Sequence, residues 1–170
     1  MFTYLSNKLS NKTMFKNPIV KNILSAVTVA VFGFILLNLA FMFDFFVQSS
    51  VKRLIELFTP VDLMTNFQWL PPAMHSLFVV IIGVISWLVF RSKLGTLYKA
   101  IYMTVPLAVV FATLGIFLYR WPVVAYSIGS LLSISVLYYF YRTKQPWLYY
   151  YTVILVGLAM LLVGLLGVEI

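Results

Sequence analysis

Five long apolar runs, with nearly all of the charge confined to the gaps between them, limit what this chain can fold into more than any other feature. They occupy residues 23–46, 73–90, 101–118, 123–140 and 147–168, while the 12 Lys and Arg and the 4 Asp and Glu fall almost entirely outside them. Each run is close to the roughly 18–20 residues that carry a helix across about 30 Å of hydrocarbon. The hydrophobic fraction is 63% and the charged fraction 9%, against roughly 45–50% and 25% in soluble domains. A water-soluble core of this size cannot hide that much apolar surface. Backbone groups in lipid must be paired within their own segment, so the runs are expected to be helices rather than strands. The fold class is therefore an all-α integral membrane protein, one domain built as a bundle of five transmembrane helices.

The punctuation agrees with these limits. Pro71-Pro72, Pro122 and Pro146 stand at or just before the starts of runs two, four and five, where a helix tolerates the missing N–H. Pro106 lies inside run three and predicts a kink. The first run is too long for the apolar region of a signal peptide and no small-residue cleavage site follows it, which marks it as a retained helix.

Lys and Arg alternate unevenly between the two sets of gaps. One side receives Lys8, Lys12, Lys16 and Lys21, then Arg91, Lys93 and Lys99, then Arg142 and Lys144; the other receives only Lys52, Arg53 and Arg120. Basic residues are retained on the cytoplasmic side, so the expected location is a plasma or inner membrane, with residues 1–21 cytoplasmic and the C-terminus outside. Asp44, Glu56, Asp62 and Glu169 all fall on the outer side under the same assignment. The net charge of +8 thus suits anionic lipid headgroups and insertion topology, and a nucleic-acid partner is not expected. Tyr138, Tyr139, Tyr141, Trp147, Tyr149, Tyr150 and Tyr151 crowd around Arg142 and Lys144 as an interfacial belt.

The first outer loop contains one further element. Val51, Leu54, Ile55 and Phe58 repeat at i, i+3, i+4 and i+7, with Lys52, Arg53 and Glu56 on the opposite face and Pro60 ending the pattern. The spacing predicts a short amphipathic helix over 49–58 lying on the outer membrane surface.

Polar residues near or within the runs are the candidate site. Asp44 sits about one turn from the outer end of run one, and His75, the single histidine, opens run two. With Glu56, Asp62, Arg53 and Arg120 they form a candidate outer-face polar site, although the four metal-capable side chains are scattered rather than set at ligand intervals. A helix-end carboxylate paired with Lys52, Arg53 or Arg120, and an interfacial histidine, are the plainer readings of the same residues. Ser133 with Gly129, and Gly157 with Gly164, mark small helix faces suited to close approach, and Asn38, Thr104 and Thr113 are expected to form interhelical hydrogen bonds. No serine lies in a GxSxG setting, and no P-loop, GxGxxG or HExxH stretch occurs, so neither a catalytic set nor a cofactor is indicated. With no cysteine, disulfides, thiolate metal sites and catalytic thiols are excluded.

The segment Trp69-Leu70-Pro71-Pro72-Ala73-Met74 resembles the W-x-P-P-G-M stretch that opens the second helix of the tryptophan-rich sensory protein, or translocator protein, family. That family also has five helices and a long first loop. Its patterns in helices three and five have no counterpart here, so the resemblance implies no porphyrin or sterol site. Three readings of function follow from the residues. The first is a noncatalytic accessory or scaffold subunit that packs against another membrane protein or a second copy. The second is a carrier or binding protein for a lipid-like or small aromatic ligand in an outer-face cavity. The third is a membrane anchor related to an extracellular headgroup-transferring enzyme.

Overall fold

The computed structural model describes residues 18–58 and 70–165. Among them the chain is all-helical, with α1 (Pro18–Phe58), α2 (Leu70–Arg91), α3 (Thr96–Phe117), α4 (Pro122–Arg142) and α5 (Trp147–Leu165). α1 to α4 each contain a stretch long and apolar enough to cross a membrane, and Trp147–Val163 of α5 is a shorter apolar helix. The expected span over 147–168 runs past residue 165 into residues outside the described set.

The separate interfacial helix expected over 49–58 is not a separate element. α1 is one unbroken helix of 41 residues, about 61 Å long and twice the thickness of a hydrocarbon core. Gln48, Ser49 and Ser50 read as a boundary, but no glycine or proline stands between Val47 and Phe58 to stop the helix. The amphipathic pattern has a use within the fold: Val51 and Ile55 pack against the buried Met74 at the start of α2, while Leu54 and Phe58 stay exposed.

Neighbouring helices in sequence run antiparallel. α3 is the central helix: it packs on α1, α2 and α5 and holds more of the buried residues than any other helix. Phe78 and Ile82 of α2 meet Val105 and Val109 of α3, with Leu36 and Ala40 of α1 against them. Further along, Val29, Ala100 and Leu148 join α1, α3 and α5. α1 and α3 approach closely at Gly33, where an added Cβ would stand 2.6 Å from Thr104 Cγ2. Thr104 Oγ1 donates to Ile101 O at 2.8 Å and also lies 3.3 Å from Gly33 O. This is the interhelical role expected of Thr104. Thr152, fully buried on α5, is placed likewise against Leu148 O and Ala100 O. Asn38 differs from expectation: it is exposed and its amide donates to Phe34 O within α1.

The bundle has two ends of different character. The one we call the Arg91 end gathers Lys21, Arg91, Lys93, Lys99, Arg142 and Lys144. Here Lys99 Nζ donates to the Phe90 carbonyl at 2.8 Å, satisfying an orphan group of the last turn of α2. α4 ends in a Schellman motif, with Gln145 N–H on Phe140 O and Lys144 N–H on Tyr141 O, and Lys144 takes the left-handed conformation at φ 50°. The Phe140 ring packs on Tyr149 and Tyr150 across this turn. The Arg120 end holds the last turns of α1, the start of α2 and the α3–α4 turn. There Leu118 N–H returns to Leu114 O, Trp121 N–H to Leu118 O, and Pro122 starts α4.

Candidate functional site

Two features of the Arg120 half of the bundle bear on function, one buried and polar, the other open and apolar. The buried feature joins three helices. Asp44 of α1 and His75 of α2 are 8% and 5% exposed, and Nδ1 of His75 lies 3.4 Å from Asp44 Oδ2. On the other side of the ring, Nε2 is 3.0 Å from Thr113 Oγ1 of α3. Phe78 lies one turn beyond His75, with ring centroids 6.0 Å apart, and it also meets Phe43 beside Asp44.

The Thr113 hydroxyl bears on which side of the ring donates. Thr113 donates its only hydroxyl proton to Val109 O at 2.6 Å, so its oxygen must accept from His75 Nε2–H. Nδ1 faces Asp44 Oδ2 on the other side of the ring. Asp44 Oδ1 is buried and has no hydrogen-bond partner among the described residues.

An Asp, a His and a hydroxyl in a row resemble the order of a nucleophilic triad, but the roles do not match. A nucleophile must give its proton to the imidazole, whereas Thr113 accepts from it. The arrangement ties helices together and offers no attacking group.

Of the sequence-derived site, the structure brings Asp44 and His75 together and adds Thr113. Among the described residues Asp44 has His75 as its ion-pair partner, in place of the expected Lys52, Arg53 or Arg120. Arg53 is exposed on the penultimate turn of α1. Glu56 lies in α1 with its side chain outside the described set, and Asp62 falls outside the described residues altogether. No group of three or more His, Cys, Asp or Glu suited to a metal ion occurs among the described residues.

The second feature is a cleft of about 650 Å³ between α3, α4 and α5; Arg120 is not among its lining residues but adjoins it through the lining residue Tyr119. α4 stands away from the bundle and touches it closely at few points: a Cβ on Gly129 would lie 3.3 Å from the Phe111 ring, and one on Gly157 would lie 3.9 Å from Ser133 Oγ. On either side of these points the walls include Ala112, Gly115, Ala125, Leu137, Val153 and Leu161. The hydroxyl of Ser133 is turned onto its own helix at Gly129 O, a common way for serine to be satisfied in an apolar setting. From Pro122 to Leu137 the cleft follows α4 for about 22 Å. None of Asp44, His75 and Thr113 lines it.

At the mouth of the cleft, Tyr119 lines the wall and its phenol oxygen accepts from Arg120 Nε at 2.7 Å. The guanidinium carbon stands 5.5 Å from the Tyr119 ring centroid. The phenol bond pushes the already high Arg120 pKa higher still. Compared with family models, with curated proteins and with solved structures, the chain shows no match.

Proposed function

We propose that this chain is an integral membrane protein, with its Arg91 end cytoplasmic, that binds a lipid-like molecule in the cleft between α3, α4 and α5. The cleft supports this reading more than any other observation. Its volume falls within the roughly 300–1,000 Å³ of ligand sites, and its walls are mostly apolar with a few polar side chains, Tyr119, Tyr126, Ser130 and Ser133, among them, as such sites are. A hydrated path through the bilayer, as transport of a polar solute needs, would instead be lined by polar groups along its length. On this reading the ligand occupies this cleft rather than the Asp44 and His75 region expected from sequence. The unequal division of basic residues between the two ends of the bundle supports the orientation.

The test uses the absence of cysteine. Ser133→Cys, carrying an environment-sensitive fluorophore, reports from the cleft wall, and Val80→Cys reports from the exposed face of α2. Nitroxide-labelled methyl octadecanoate in neutral detergent micelles should quench the first label saturably and the second only in proportion to probe concentration. Gly115→Phe provides the control, because Gly115 lines the cleft and a Cβ there meets nothing within 4 Å. It should abolish the saturable component while leaving the fold intact. Indistinguishable quenching at the two positions would refute the reading.

A further inference from the structure

The mouth of the cleft differs from its walls in a way that specifies more than an apolar ligand. Arg120 is the charged residue of the α3–α4 turn, its side chain is solvated, and among the described residues it forms no ion pair. Its Nε is engaged by Tyr119, which leaves both terminal nitrogens of the guanidinium free to bond two oxygens of one acid group. Because the Tyr119 oxygen acts as acceptor in that bond, its own O–H remains available to donate outward. α4 begins beside them at Pro122 with no side-chain cap at Trp121 and no acidic residue in its first turn. The positive end of its dipole and its first unpaired N–H groups therefore face the same region. Among the described residues no Asp or Glu lines the cleft to compete.

From this juxtaposition we infer that the occupant is a single-chain amphiphile with an anionic headgroup, its acid group held by Arg120 and Tyr119 and its chain laid along α4 toward Leu137. The inference rests on the proposed function and deepens it, since it specifies the headgroup of the molecule in that cleft. An uncharged lipid would leave the Arg120 and Tyr119 donors facing water and gain nothing from them. A doubly acylated lipid brings a second chain, and the cleft presents one apolar channel.

The same labelled protein separates this inference from the reading beneath it. Nitroxide-labelled octadecanoate, ionised at alkaline pH, is titrated beside its methyl ester. The acid should bind about tenfold more tightly than the ester, the scale of a partly solvated charge-assisted pair. Arg120→Gln should bring the acid down to the ester's affinity and leave the ester unchanged. Salt at about 1 M, where the Debye length is about 3 Å, should narrow the gap in the wild type. Equal affinities for acid and ester, or an acid preference that survives Arg120→Gln, would overturn the headgroup assignment while the cleft remains a lipid site. Saturable binding of neither probe would overturn both.

Discussion

Replacing Gly33 by alanine tests the packing of the bundle at a point of close approach. The new Cβ would lie 2.6 Å from Thr104 Cγ2 and 3.1 Å from Thr104 Oγ1, whereas carbon atoms pack at about 3.5–4.0 Å. One of the two helices must therefore move by about 1 Å. Thr104 cannot simply rotate away, because it is β-branched within a helix and its hydroxyl is committed to Ile101 O. Overpacking of this kind costs about 1–3 kcal/mol, and the better helix propensity of alanine returns about 1 kcal/mol. The net expectation is a loss of about 1–2 kcal/mol. Reversible unfolding by SDS in mixed micelles measures it, and Thr104→Ser supplies the decisive second arm. Serine removes the offending methyl, so Gly33→Ala should cost at least about 1 kcal/mol less in that background. If Gly33→Ala is neutral, or costs the same with serine at 104, the steric argument is wrong.

Three further outcomes are expected. Asp44→Asn should be nearly neutral, because the amide can donate to Nδ1 of a neutral His75; His75→Phe strands a buried carboxylate and should cost about 3–5 kcal/mol in the same unfolding assay, with Asp44→Asn rescuing most of the loss. Lys144→Gly should stabilise by about 1 kcal/mol by relieving the left-handed backbone, whereas Lys144→Ala, which keeps the φ of 50°, should not. If the Arg91 end is cytoplasmic, a cysteine at the exposed Leu94 should resist a membrane-impermeant thiol reagent in intact cells and one at the exposed Trp121 should react, and the reverse pattern would invert the orientation.

The helices were readable because the apolar runs are long and the prolines stand at their starts. Run one ended too early in that reading because Gln48, Ser49 and Ser50 look like a membrane boundary, yet polarity alone does not stop a helix and the first breaker is Pro60. Asp44, His75 and Thr113 were each identifiable as polar groups near apolar runs. That they meet depends on the register of α1 and α3, which run parallel, against the antiparallel α2, which no spacing along the chain encodes. The cleft was the least legible feature. Gly129, Ser133 and Gly157 read as a surface for close packing, and they do make the closest contacts of α4. The space around those contacts is walled by α3, α4 and α5 at once, a property of three helices together.

The length of α1 acquires a mechanical meaning from where it is gripped. Gly33 and Thr104 form a fulcrum, and the helix beyond it runs to Phe58 as an arm of about 37 Å with no joint. A rotation of about 5° at that fulcrum sweeps the tip through about 3 Å. Val51 and Ile55 ride on the same arm and grip Met74, so such a rotation would be delivered to the first turn of α2, one residue from His75.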